Sequence, residues 1–192
     1  MKIRIKIQGA LALAALLVAV FFPKVLFARR LSLFLEVFLD VIGIAIVFFG
    51  FLFRVSARGY KEEKTFNGHA LVKSGPYKIT RNPMYFGTFM IGIGTITALF
   101  QPWVFFVFVF AFLLIYATQT GIEERVLSER FGQDYRDYCK ITPKYFPSMR
   151  NILKIRSYLS LKPFWIKKEL PSIMATGAGA IILFIAKFYL TN

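Results

Sequence analysis

One histidine, one cysteine and ten acidic residues are all that this 192-residue chain holds of the side chains from which most catalytic centres are built. A lone Cys139 excludes an internal disulfide. With no CxxC pair and no Cys/His cluster there is no zinc-type ligand set, so no metal site is expected. Polar residues are scarce in general: 57% of positions are hydrophobic, 23 are Phe and the mean hydropathy is +0.57. That composition excludes an ordinary soluble domain and points to the membrane class. Against the ten acids stand 25 Lys and Arg, a net charge of +15. In a soluble protein such a balance suggests nucleic acid. Here the basic residues crowd the loops between apolar runs and nothing resembles a recognition module. Anionic headgroups and the positive-inside rule account for them, and no nucleic-acid partner is expected. The length fits one compact unit, so residues 1–192 are read as a single membrane domain.

The apolar runs set the organisation. Residues 7–22 follow Lys2, Arg4 and Lys6 and are read as a retained first span, ended near Pro23, rather than as a signal-peptide core. Residues 31–53 form a second span, long enough for the hydrocarbon core. Glu36 and Asp40 share one face of it and are read as pairing with Lys24, Arg29 or Arg30 near the membrane surface. A polar loop is expected over 54–82, a third span over 84–100, a tight turn at Gln101-Pro102 and a fourth span over 103–118. Spans three and four would make an antiparallel hairpin, with Gly87, Gly92 and Gly94 permitting close helix approach. Gly92-Ile93-Gly94 is not read as a cofactor loop, since no strand precedes it. Glu123 to Arg130 continue the fourth helix outward, and Phe131-Gly132 reads as its stop. Residues 159–170 set Phe164 and Trp165 among Lys162, Lys167 and Lys168, an interfacial segment lying on the headgroups, and 173–190 form a fifth span. The expected fold is therefore an all-α integral membrane protein of about five transmembrane helices. Both large basic loops, the N-terminus and the cofactor pocket would face the cytoplasm, with Asn192 outside.

Two polar blocks interrupt this pattern, HALVKSGPYKITRNPMY over 69–85 and IEERVLSERFGQDYRDYCKITPKYFP over 122–147. They are expected to meet on one side of the bilayer and build a single active site. His69-Ala70-Leu71-Val72, then Gly75-Pro76-Tyr77, then Arg81-Asn82-Pro83-Met84-Tyr85-Phe86-Gly87 resemble the pattern H-x-L-V…G-x-Y…R-H-P-x-Y-x-G. Glu123-Glu124-x-x-Leu127, Phe131-Gly132-x-x-Tyr135-x-x-Tyr138, Pro143 and Pro147 resemble its continuation, E-E-x-x-L…F-G-x-x-Y-x-x-Y…P…P. The order of both blocks around an apolar hairpin is similar to the isoprenylcysteine carboxyl methyltransferase family, whose wider membrane pattern phospholipid N-methyltransferases share. The resemblance covers residues 61–147, the methyltransferase motif core, and leaves 148–192 as an interfacial segment plus a C-terminal span.

The resemblance implies S-adenosylmethionine as methyl donor and an amphipathic, lipid-like acceptor that enters from the membrane lipids. Carried over residue by residue, it implies cofactor contacts at His69, Ala70, Leu71, Val72, Tyr77, Asn82, Pro83, Met84, Tyr85 and Glu123, with Glu62 where animal members carry a Gln. Glu124 adjoins, but neighbours on a helix point ~100° apart, so at most one of the two carboxylates faces the donor directly, and Glu123 is preferred. The chemistry of the donor asks for the same residue types. A sulfonium is stabilised by a carboxylate and an aromatic face, which Glu123 and Tyr85 supply. The donor's carboxylate needs a cation or N–H donors, from Arg81, His69 or loop amides. Adenine needs apolar walls, for which Leu71, Val72 and Pro83 are suited. Glu123, Arg81 and Tyr85 are the expected catalytic set. Methyl transfer is an in-line displacement helped by positioning and water exclusion, and needs no metal. Two positions depart from the pattern. Asn82 replaces the histidine of R-H-P, keeping hydrogen-bonding ability without titration near neutral pH. Gln119 stands where prenylcysteine enzymes carry a substrate-contacting arginine, which implies an acceptor-facing group that does not select strongly for an anionic head. An NADPH-dependent membrane reductase of the sterol reductase type and a non-catalytic membrane protein on the same scaffold are the rival readings, and His69, Tyr85 and Glu123 together argue against the second.

Overall fold

The computed structural model describes residues 21–27, 31–65, 70–147, 151 and 154–191. Among these residues every regular element is helical. The helices are α1 (Pro23–Phe27), α2 (Leu33–Lys64), a 3-10 turn at Gly75–Lys78, α3 (Pro83–Leu99), α4 (Pro102–Ile141), α5 (Ile155–Tyr158) and α6 (Pro163–Thr191). Three of them, α2, α4 and α6, are long and apolar enough to cross a membrane. Their outward faces carry exposed Phe34, Phe38, Ile44, Phe48, Phe106, Phe110, Ile181 and Phe184, the surface that lipid rather than water covers. The chain is an integral membrane protein.

The helices run further than the apolar runs that begin them. The polar loop expected over 54–82 starts as a continuous extension of α2 to Lys64, because nothing there breaks the backbone ladder. Its one glycine, Gly59, is buried under the Trp165 ring. The interfacial segment and fifth span expected over 159–190 are one helix, α6, which carries Pro171 in its interior. The stop expected at Phe131-Gly132 is a kink: Gly132 takes φ 51°, ψ −120°, a conformation costly for any residue with a Cβ, and the helix then resumes to Ile141. The third expected span is α3, 17 residues long. At 1.5 Å per residue that is about 25 Å, short of a ~30 Å hydrocarbon core. The expected first span lies, over residues 7–20, outside the described residues.

α3 packs most extensively on α2, not on α4. Two glycine pairs set this contact. A Cβ on Gly43 would sit 2.5 Å from the Gly94 carbonyl oxygen, and one on Gly50 would sit 2.7 Å from that of Gly87. Backbone therefore lies on backbone at two levels seven residues apart on each helix, the close approach that small residues allow between membrane helices. Gly92 faces the other way, against the Phe108 ring of α4. At the end where α3 turns into α4, Phe27 of α1 is buried against Phe100, and the Gln101 N–H donates to the Leu26 carbonyl at 2.8 Å. The opposite end is polar, and there the two sequence blocks come together.

Candidate active site

Thr80 is the knot between the blocks. It is fully buried, and its hydroxyl lies 3.1 Å from the carbonyl oxygens of both Lys144 and Tyr145. Beside it the Arg81 N–H donates to the Pro143 carbonyl at 2.9 Å and Asn82 Nδ2 to the Lys144 carbonyl at 3.0 Å. One turn of α4 away, the Tyr138 hydroxyl donates to the Tyr77 carbonyl at 2.6 Å. These bonds pull residues 77–82 against 138–145. Gly75, at φ 58°, lets the intervening chain pass under the Tyr60 ring of α2.

The result is a cavity of about 560 Å³ enclosed by α2, the 70–85 stretch and α4. Pockets for small molecules span roughly 300–1,000 Å³. Of the residues singled out from the sequence, Ala70, Leu71, Val72, Tyr77, Arg81, Asn82, Pro83, Met84, Tyr85, Glu123 and Glu124 line it. His69 lies outside the described residues. Glu62 is not on the wall; it lies on the outward side of α2 and pairs with Lys168 of α6. Gln119 is also absent from the wall. Its Nε2 instead donates to Glu123 at 2.9 Å, the two being one helical turn apart.

The two adjacent carboxylates are treated differently. Glu123 accepts from the Tyr85 hydroxyl and from Gln119, both neutral donors, and makes no ion pair among the described residues. Glu124 sits between two cations, Arg81 at 3.0 Å and Lys144 at 2.9 Å. Burial alone would lower the Lys144 pKa, but the hydrogen bond and charge of Glu124 more than offset this and hold it above the usual lysine value. Burial, and then the charge of Glu123, push the Tyr77 phenol above its usual range, so its hydroxyl stays protonated. Arg81 spends part of its guanidinium on Cys139 Sγ, 2.7 Å away. Among the described residues, a carboxylate without a compensating cation thus faces the cavity at Glu123, while the charge of Glu124 is spent on holding the wall.

Residues that the sequence reading did not single out complete the wall. Arg54 and Lys61 come from the extended half of α2, Thr65 from its C-terminal cap, Thr88 from α3, and Tyr116 and Arg130 from α4. A narrower apolar crevice between α3 and α4 adjoins the cavity and shares Asn82, Tyr85 and Tyr116 with it. Phe86, Phe89, Phe112, Leu113 and Phe146 line the rest of the crevice. Its rings form a continuous series, Phe89 to Phe112 at 5.0 Å, Phe112 to Tyr116 at 4.2 Å and Tyr116 to Tyr85 at 4.8 Å.

Comparison with known proteins gives the family. Residues 38–134, half of the chain, match the model of the family described as phospholipid methyltransferase. The yeast (Saccharomyces cerevisiae) protein-S-isoprenylcysteine O-methyltransferase is 36% identical over 70 residues, covering 36% of this chain and 29% of its own. The Xenopus laevis protein of the same name is 31% identical over 123 residues, covering 59% and 42%. A nickel-cobalt-cadmium resistance protein of Alcaligenes xylosoxydans xylosoxydans is 31% identical over 91 residues, covering 46% and 41%. The chain spans less than half the length of these curated relatives. No solved structure matches. The family match runs from near the start of α2 through both walls of the cavity to just past the Gly132 kink, and on that evidence the chain belongs to the phospholipid methyltransferase family.

Proposed function

We propose that this chain is a methyltransferase that moves the methyl group of S-adenosylmethionine onto an amphipathic, lipid-like acceptor at the membrane interface. The observation that carries this reading is Glu123, a carboxylate on the wall of a cavity of suitable size, held by a phenol and an amide rather than by a cation. A sulfonium is the kind of ligand charge such a carboxylate stabilises. The rest of the donor fits the donor set. Leu71, Val72 and Pro83 offer apolar wall to adenine, while Lys61, Arg81 and Arg130 on the same wall offer cations to its carboxylate. When bound, the donor supplies a methyl group on a positively charged sulfur, open to in-line attack.

The chain's own residues then have separate tasks. Tyr85 and Gln119 fix the orientation of the Glu123 carboxylate. Glu124 holds Arg81 and Lys144 and so keeps the wall closed. The acceptor's head comes to Tyr85 and Tyr116, where crevice and cavity meet, and its apolar tail lies on the membrane side of them. The prenylated cysteine in the relatives' names is an acceptor of this kind. The cavity faces the cytoplasm, because the basic stretches around it stay on that side. Calorimetry tests the donor: S-adenosylmethionine should bind the purified protein in the micromolar range, about −8 kcal/mol. Absence of binding at millimolar donor would remove the reading.

A further inference from the structure

Arg54 occupies an unusual place. It directly follows the apolar run 31–53, about two-thirds of the way along α2, and lines the cavity. Its level is set by its neighbours. Thr88, to which Nη1 donates at 2.5 Å, is one turn further into the bilayer than Met84 and Tyr85. Tyr116 is two turns further in than Glu123 on α4. Arg54, Thr88 and Tyr116 therefore form the membrane-side floor of the cavity, beside the point where the apolar crevice opens at Tyr85 and Tyr116. Lys61 and Thr65, two and three turns further along α2, belong to the opposite, outer side.

Behind the floor two cations share one anion. Glu169 of α6, fully buried, lies 3.3 Å from Arg54 Nη2 and 3.1 Å from Arg58 Nη1, so one carboxylate serves two guanidinium groups. Arg54 Nε is buried and makes no hydrogen bond. A partly desolvated cation without its full complement of anion and acceptors is costly, and an anionic ligand removes the cost. Arg58 docks α6 onto α2 through Glu169 and the Lys168 carbonyl, and that tie needs no second guanidinium on the cavity wall.

We propose that Arg54, aimed by Glu169, is the group that reads an anionic acceptor head, so that acceptor selection in this chain sits on α2 and α6 and not at position 119. Gln119 is committed to Glu123 and does not line the cavity. The planar fork of Arg54 suits a carboxylate, the acceptor head of prenylcysteine type. The inference rests on the methyltransferase reading for the acceptor's identity, but anion binding itself is measured without turnover.

The test is binding of an S-prenylcysteine carboxylate and of its carboxamide to detergent-solubilised protein, with S-adenosylhomocysteine affinity measured in parallel. Wild type should prefer the carboxylate by about tenfold or more, the effect of one charge-assisted contact. Arg54→Gln should erase that preference and leave S-adenosylhomocysteine affinity within about twofold. Arg54→Lys keeps the charge and the ion pair with Glu169, guarding against a variant that fails to fold, and should retain part of the preference. Absence of a preference in wild type, its survival in Arg54→Gln, or an equal loss of S-adenosylhomocysteine affinity would each overturn the proposal. A wild type that binds no S-adenosylhomocysteine defeats the methyltransferase reading instead and leaves the carboxylate preference readable.

Discussion

Glu123→Gln separates the charge of the cavity carboxylate from its shape. The side chain keeps its length and its ability to pair with Tyr85 and Gln119, and only the negative charge goes. In the wild type no cation of the described residues competes for that charge. If it faces the sulfonium, its loss should cost about 1.5–3 kcal/mol, the range for hydrogen bonds to charged groups, or roughly ten- to two-hundred-fold in donor affinity. The demethylated product has no sulfonium, so the same substitution should cost S-adenosylhomocysteine clearly less. Calorimetry of both ligands on wild type and variant measures this difference. Glu124→Gln is the control. Its carboxylate holds Arg81 and Lys144, all three partly exposed, so it should lower the melting temperature by the equivalent of about 1 kcal/mol and change the ratio of the two affinities little. Equal losses for both ligands in Glu123→Gln would assign the charge to the ammonium instead of the sulfonium. A larger ratio change in Glu124→Gln would mean that the wrong carboxylate carries the account.

Three further outcomes are expected. Gly94→Ala places a Cβ 2.5 Å from the Gly43 carbonyl oxygen, which backbone cannot relieve, so thermal unfolding should show about 1–3 kcal/mol of destabilisation; an unchanged melt would refute the α2–α3 packing. Thr80→Val keeps the shape but removes the hydroxyl shared by the carbonyls of residues 143–145, of which Pro143 and Lys144 keep the Arg81 N–H and Asn82 Nδ2, so it should cost about 1 kcal/mol and weaken donor binding as the blocks loosen; stability loss without any change in binding would separate the knot from the site. Single cysteines replacing Lys73 and Lys140 in a Cys139→Ser background should both react with a membrane-impermeant thiol reagent only from the cytoplasmic side, and labelling from opposite sides would contradict a shared cavity.

The two motif blocks were legible because each is contiguous, polar and set in apolar surroundings. Their meeting follows from residues within them, Thr80, Arg81 and Asn82 against Pro143 to Tyr145. Arg54, Thr88 and Tyr116 were not singled out because each sits in or beside an apolar run that reads as plain membrane span. Glu169 is 115 positions from Arg54, and no periodicity links them. The extension of α2 past Phe53 was hidden by treating polarity as loop, although a helix leaving a bilayer changes its side chains and not its backbone. One missed signal was present. Gly43 and Gly50 repeat the seven-residue spacing of Gly87 and Gly94, and the equal spacing marks the α2–α3 seam. Gln119 was read as facing an acceptor, and nothing in its position one turn before Glu123 reveals that it turns to the carboxylate rather than to the cavity.

The central claim is methyl transfer to an amphipathic acceptor that comes from the membrane. Its most direct measurement supplies methyl-labelled S-adenosylmethionine and a total lipid extract supplemented with an S-prenylcysteine to the purified protein, then follows label into organic-extractable material. The account predicts a labelled amphiphile with wild type and a loss of about ten- to two-hundred-fold in rate with Glu123→Gln. Donor binding with no label transferred to any amphiphile, or transfer that Glu123→Gln leaves untouched, would contradict it.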